Sequence, residues 1–226
     1  MKAISIILVG GVFALAQGGQ AQGFVNLDFE SADVSGYPPR SMDVPIASAL
    51  PGWSGFYGNI PVGQVWYDGV SLGGTAISVV DNNVGVPSFG PIDGVYSAWL
   101  FGSYLAPATI SQTGLVPTGT KSLQVDIQSE GTPFQVSLGG QSLSMVPLQT
   151  FPTFTLYGAD ISSFGGLTEN LAFTSPVGSG FPGVPLNFLE VDDIVFSPNA
   201  IPEPASWVLL VCGAGVFALS RRKHER

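Results

Sequence analysis

Lys121-Ser122-Leu123-Gln124-Val125-Asp126-Ile127-Gln128 is the stretch that decides the fold. Leu123, Val125 and Ile127 alternate with Gln124, Asp126 and Gln128. This two-residue period belongs to a strand with one face in a core and the other in water. Pro133 to Leu143 repeats the pattern with Phe134, Val136 and Leu138, and Gly139-Gly140 supplies a tight hairpin turn before Gln141 to Met145. Outward from this hairpin, Thr153 to Tyr157, Thr168 to Thr174 and Phe188 to Phe196 read as later strands. Phe24 to Phe29, Gln64 to Asp68, Thr75 to Val80, Val95 to Phe101 and Thr109 to Gln112 read as earlier ones. The 30 Gly and 18 Pro punctuate the intervals and keep long helices away, so only Ala159 to Phe164 suggests a helical turn. Many short strands between turns predict an all-β fold: one antiparallel β-sandwich of the jelly-roll kind over residues 22–199. No internal repeat or linker divides it.

Charge and cysteine content remove whole classes of function. Between Gln17 and Ala200 the only bases are Arg40 and Lys121, against 14 Asp and Glu, a net charge of −12. Such a surface repels phosphate backbones, which excludes nucleic acid as a partner. The single cysteine, Cys212, and the single histidine, His224, both lie near the C-terminus, outside the sandwich. The domain therefore contains no disulfide, no Cys/His zinc site, no thiol nucleophile and no Ser-His-Asp triad. A glycoside hydrolase needs only two carboxylates, and it stays as a remote alternative. With 14 acids and no local motif, nothing singles out such a pair, and the domain is expected not to be an enzyme.

Both termini read as addresses. Lys2 and the apolar stretch Ala3 to Leu15 form a signal peptide over residues 1–21, with small-residue cleavage sites after Ala16 or Ala21. At the other end, Pro202-Glu203-Pro204 forms a rigid extended spacer that presents Glu203. An uncharged run from Ala205 to Ser220 follows, and then Arg221-Arg222-Lys223-His224-Glu225-Arg226. Sixteen residues span about 24 Å as a helix, so snorkelling arginines or a thin bilayer complete the crossing, with the basic cluster on the cytoplasmic side.

This ordered trio over 201–226 closely resembles the PEP-CTERM sorting signal of bacterial surface proteins. The resemblance implies an exosortase-type membrane peptidase that recognises Pro202, Glu203 and Pro204 and removes the tail. Transient membrane tethering and orientation by Arg221, Arg222 and Lys223 are implied with it. The sorting family is tied to exopolysaccharide and biofilm, which implies a place in the cell envelope or extracellular matrix.

Two constellations inside the sandwich are candidates for chemistry. Phe24-Val-Asn-Leu-Asp-Phe-Glu30 opens the domain and Leu189-Glu-Val-Asp-Asp-Ile-Val-Phe196 closes it. First and last strands of a jelly roll commonly neighbour one another, so Asp28, Glu30, Asp192 and Asp193 are expected to share a site. Clustered carboxylates protonate or take a cation, and oxygen-only ligands favour Ca²⁺. The second constellation is aromatic. Trp53, Tyr57, Trp66 and Tyr67 stand beside Asn and Asp in Trp53-Ser-Gly-Phe-Tyr-Gly-Asn59 and Trp66-Tyr67-Asp68, as stacking platforms for a glycan or exopolysaccharide. Buried rings would instead leave a structural or adhesive surface component.

The opening segment, Pro51-Gly52-Trp53 and the closing Asp192-Asp193-Ile194 also resemble the galactose-binding-like sandwiches, carbohydrate-binding modules among them. That resemblance implies a structural calcium near Glu30 and Asp192 or Asp193.

Overall fold

Alternation in sequence becomes pairing across two sheets. The computed structural model describes residues 22–69, 71, 73–83, 90–131, 133–178 and 187–201. The leader over 1–21 and the sorting signal with Pro202, Glu203, Pro204, Arg221, Arg222 and Lys223 lie outside the described residues. Among the described residues no helix is long and apolar enough to cross a membrane.

The strands are, in chain order, β1 (Val44–Pro45), β2 (Ser54–Tyr57), β3 (Ile60–Val62), β4 (Gln64–Tyr67), β5 (Ala76–Val80), β6 (Ser97–Phe101) and β7 (Ala108–Leu115). They continue with β8 (Ser122–Glu130), β9 (Gln135–Leu138), β10 (Gln141–Ser142), β11 (Val146–Thr150), β12 (Thr155–Asp160), β13 (Thr168–Ser175) and β14 (Phe188–Ser197). Helix is confined, among the described residues, to α1 (Ile46–Ala49) and a 3₁₀ turn over Ser162–Phe164, inside the stretch where a helical turn is expected. An eight-stranded sheet runs β1-β4-β5-β6-β14-β8-β12-β11, and a six-stranded sheet runs β10-β9-β13-β7-β2-β3. Within them the two runs β6-β14-β8-β12 and β7-β13-β9-β10 have the strand order of a jelly roll, two Greek keys closed face to face.

Inward-facing residues of the two sheets make one core. Leu123, Val125 and Ile127 of β8 meet Leu189 and Val191 of β14 and Leu100 of β6, packed on Ile110, Val136, Leu138, Leu171 and Phe173 of the smaller sheet. At about 25 cal/mol per Å² of apolar area removed from water, this face-to-face burial is the main favourable contribution to folding. Sheet edges are protected by composition. Pro45, Pro61 and Pro147 sit in the edge strands β1, β3 and β11, and the fourth edge, β10, is two residues long. A proline offers no N–H to an incoming strand, so edge-to-edge growth between copies is disfavoured.

Two expectations are corrected. The sandwich is not wholly antiparallel: β4 and β5 pair in parallel, with Trp66 opposite Ser78 and Tyr67 opposite Val79. The opening segment Phe24 to Phe29 is not a strand. Asn26 and Phe29 take φ of 50° and 56°, which break an extended run. The Gln112 side chain replaces the ladder there: its Oε1 accepts from the Val25 N–H at 2.6 Å, and its Nε2 donates to the Val25 carbonyl at 3.0 Å.

Gly102 shows how tightly one end of the sandwich is closed. Its N–H donates to Ser175 Oγ at 3.0 Å, and a Cβ added there would run into the backbone carbonyls of Ser175 and Pro176. Backbone cannot yield as a side chain can. Gly102→Ala is therefore expected to cost about 2–3 kcal/mol, roughly 5–10 °C in Tm for a domain of this size. A thermal melt beside Gly36→Ala, where a Cβ meets open space, checks it.

Candidate functional site

The aromatic platforms expected from sequence are mostly inside the protein. Trp53 is 4% exposed and lies between Phe29 and Phe173, with ring centroids 5.5 and 6.1 Å away. Its Nε1–H donates to the Asn26 carbonyl at 3.0 Å, which satisfies the one polar atom of a core indole. Tyr67 is also buried, and its hydroxyl donates to Asp81 Oδ2 at 2.9 Å. Tyr57 is half-buried against the core, and burial raises its pKa. As glycan platforms, Trp53 and Tyr67 are thus corrected. The core of a sandwich without disulfides takes its largest rings first. Trp66 differs: it is half-buried on the outer face of the larger sheet, packed against the cluster of Ala76, Val80, Trp99, Phe101 and Phe188.

The four acids expected to share a site come together around one short loop, but each is engaged separately. Ile194 N–H donates to the Leu27 carbonyl at 3.0 Å and ties the opening segment to β14. Glu30 Oε1 accepts from the N–H groups of Val95 and Tyr96, at 2.7 and 2.9 Å. Asp28 Oδ1 accepts from the Glu30 N–H at 3.3 Å. Asp192 reaches the same loop from the other side, accepting from Ser97 Oγ at 2.7 Å and the Asp93 N–H at 3.2 Å. Asp193 stands at a bulge with φ of 45°, and burial and then Asp93, Asp28 and Glu30 raise its pKa. Among the described residues no three acidic, histidine or cysteine side chains converge as a metal cage. Glu30 and Asp192 instead brace the loop that leads into β6.

The outer face of the larger sheet carries an arrangement that sequence reasoning did not single out. Register places Trp66, Ser78, Trp99, Glu190 and Gln128 in one row across β4, β5, β6, β14 and β8. At roughly 4.8 Å between strands the row is about 19 Å long. At its β8 end the surface opens into two adjoining depressions, about 350 and 420 Å³, which share Gln128, Pro152 and Thr153. Glu130, Thr155 and Phe188 line the first, and Asn82 and Ile92 line the second. The tip of the β11–β12 hairpin forms one wall, where Phe151 and Phe154 stack with centroids 4.5 Å apart. Hydroxyls, amides and a carboxylate beside aromatic edges suit a ligand that is polar around its rim and apolar on its faces.

The electrostatics of this face are unusual. Glu190 is fully buried, and neither carboxyl oxygen has a hydrogen-bond partner among the described residues. The hydroxyl proton of its neighbour Ser97 goes to Asp192. Burial, then the charge of Asp192, drives the Glu190 pKa well above the usual carboxylate range, so this group is a neutral acid. Asp192 is pushed up to about 7, chiefly by burial, against donors from Ser97, Asp93 and Asp193. Asp126, opposite Asp192 on β8, is pushed up to about 6 by burial and then by Asp193 and Asp93. An alternating strand pattern reveals which residues face outward. It does not reveal which outward residues other parts of the chain will cover.

No protein-family model matches the chain, and no curated protein matches it. Three of the solved structures similar to the chain show how low the identity is. The first is the enzymatically active domain of tailspike protein 4 of bacteriophage CBA120, at 13% identity and a TM-score of 0.34, over 64% of this chain and 19% of that one. A family 61 carbohydrate-binding module in complex with β-1,4-galactotriose matches at 17% identity and a TM-score of 0.34, over 52% of this chain and 79% of that one. The third is a family 11 carbohydrate-binding module from Clostridium thermocellum, in complex with a β-1,3-1,4-mixed-linked tetrasaccharide. It matches at 10% identity and a TM-score of 0.33, over 70% of this chain and 95% of that one. The chain spans less than a fifth of the tailspike domain's length. At these scores the likenesses transfer no function.

Proposed function

We propose that this chain is an exported bacterial surface protein whose β-sandwich binds glycan without acting on it chemically. The observation that carries the binding half is the open groove around Gln128. It is walled by the Phe151–Phe154 hairpin tip and rimmed by Asn82, Glu130, Thr153 and Thr155. Amide and hydroxyl groups on the rim can bond the hydroxyls of a sugar ring, and aromatic edges can pack on its C–H faces. The export half rests on the leader over 1–21 and the PEP-CTERM-like order of Pro202-Glu203-Pro204, the apolar run and Arg221, Arg222 and Lys223. An exosortase-type peptidase would release the sandwich from the membrane into the envelope or matrix.

A second reading, a structural or adhesive surface component without a small ligand, is favoured by one observation: Trp53 and Tyr67 are packing residues. The edge prolines bear on how such a component would act, since strand addition between copies is disfavoured along three of the four edges.

Titration of the purified full chain in mild detergent with a panel of oligosaccharides separates the two. Saturable binding is expected, with Gln128→Ala weakening it about tenfold or more while circular dichroism shows the fold retained. Tenfold corresponds to about 1.4 kcal/mol, the scale of one sheltered hydrogen bond. A folded protein that binds no member of the panel would leave the structural component.

A further inference from the structure

One end of the sandwich carries both the entry and the exit of the chain. Residues 116–121 join β7 to β8 there, and residues 161–167 join β12 to β13. The two loops interlock: Gly166 N–H donates to the Val116 carbonyl and Val116 N–H to the Leu167 carbonyl, both at 2.9 Å. The chain enters beside them, where the Leu115 N–H donates to the Gln22 carbonyl at 2.9 Å. It leaves at the same end. After β14, Ser122 Oγ donates to the Asn199 carbonyl at 2.7 Å. Ile201 then lies over Gly158, where an added Cβ would run into its Cδ1 and that of Leu148. Ile201 and Phe164 line one depression, so the departing chain adjoins the 161–167 loop. The chain is thus strapped to the fold as far as Ile201.

Only Pro202, Glu203 and Pro204 separate Ile201 from the uncharged run that begins at Ala205. Four residue steps reach at most roughly 14 Å. The ten residues of β14, by comparison, put about 33 Å between this end of the sandwich and the other. A bilayer that holds the run therefore lies beside this end and out of reach of the opposite one. The composition of the end suits such a neighbour. Residues 116–121 and 161–168 contain one base, Lys121, and no acid, although the chain from Gln17 to Ala200 has a net charge of −12. Lys121, Thr118, Ser162 and Ser163 are exposed, and Leu167 is 47% exposed. Phosphate takes hydrogen bonds from ammonium and hydroxyl donors, and an exposed leucine gains by entering the acyl boundary. We propose that this end of the sandwich rests on lipid headgroups while 205–220 is inserted, with Lys121 against phosphate and Leu167 at the acyl boundary, an assignment that rests on reading 205–220 as a membrane segment. The tripeptide is then confined to the gap between domain and bilayer, where a membrane peptidase can reach it. Gln128 lies six residues along β8 from Ser122, about 20 Å farther out, so the groove stands clear of the lipid.

The test uses the full chain carrying Cys212→Ser, reconstituted into vesicles of phosphatidylcholine and phosphatidylglycerol. One fluorescent label at a time is attached through Leu167→Cys or Leu105→Cys. Leu105 is 71% exposed in the loop between β6 and β7, at the opposite end of the sandwich. A quencher carried in the headgroup region is expected to dim the label at 167 about threefold or more relative to the label at 105, since roughly 30 Å of strand separates the two ends. Lys121→Glu is expected to weaken that quenching while circular dichroism shows the fold retained. Equal quenching at both positions, or stronger quenching at 105, would overturn the assignment. Vesicle-bound protein quenched at neither position would overturn it too, while leaving the membrane segment in place. Folded protein that fails to float with the vesicles would overturn the membrane segment and the resting face together.

Discussion

Trp53→Ala is expected to cost at least 3 kcal/mol and to bring the domain to the edge of unfolding. The indole fills the space between Phe29 and Phe173 at the meeting point of the opening segment, β2 and β13, and it is 4% exposed. Removing a buried Trp typically costs about 3–5 kcal/mol through lost transfer energy and the cavity left behind. The Asn26 carbonyl also loses its donor, and Asn26 takes a left-handed conformation that this bond helps to hold. Domains have about 5–15 kcal/mol in total, so the variant loses a large share. Trp53→Phe keeps an aromatic ring in place and forfeits the Nε1–H bond, a loss of about 1–2 kcal/mol. Urea unfolding followed by circular dichroism measures both. Glycan affinity of the folded Trp53→Phe protein is expected to equal that of the unaltered chain. A Trp53→Ala protein that melts normally and loses only ligand binding would return this ring to the surface.

The second large effect concerns pH, and its direction is opposite to ordinary acid denaturation. Burial raises Glu190 well above the usual range and holds Asp192 at about 7, while Asp126 and Asp68 stand near 6. Unfolded, all four titrate near 4. Between pH 4 and 8 the folded protein thus binds more protons than the unfolded chain. Stability contributed by the neutral forms is complete at the acid end of that window and is lost as pH rises through the folded values. For Asp192 alone, a gap of roughly three pK units corresponds to about 4 kcal/mol. Self-repulsion of an acidic surface acts in the same direction. The Tm is therefore expected to fall as pH rises from 5 to 8.5. Glu190→Gln, which cannot ionise, should flatten the decline. A Tm that climbs through that window, or a Glu190→Gln slope identical to that of the unaltered chain, would contradict the assignment of Glu190 as a neutral buried acid.

Local pattern was enough for much of the architecture. Leu123, Val125 and Ile127 point into the core as their period requires, and Gly139-Gly140 makes its hairpin turn with φ of 59° and 76°. What failed had non-local causes. Phe24 to Phe29 alternates like a strand, but Gln112, 87 residues from Val25, takes over its backbone bonds. The Trp53 neighbourhood is as polar as an exposed platform, with Ser54 and Asn59 close by, yet the fold closes Phe29 and Phe173 over the ring. The segments that carry Asp28, Glu30, Asp192 and Asp193 meet through Leu27 and Ile194. The separate engagement of Glu30 and Asp192 with residues 93–97 could not be read from spacing. The groove was the least legible feature. It depends on the register between β8 and β14 and on where the β11–β12 tip lands, and neither is written in any one stretch.

The central claim is that the outer face of the larger sheet, at Gln128, is where a glycan sits. Hydrogen exchange of the full chain, measured by mass spectrometry with and without a saturating oligosaccharide from the binding panel, addresses it most directly. Slowed exchange is expected in peptides covering residues 124–130 and 151–155, with the Trp53 region unchanged. Protection confined to residues 53–67, or no protection anywhere despite measured binding, would contradict it.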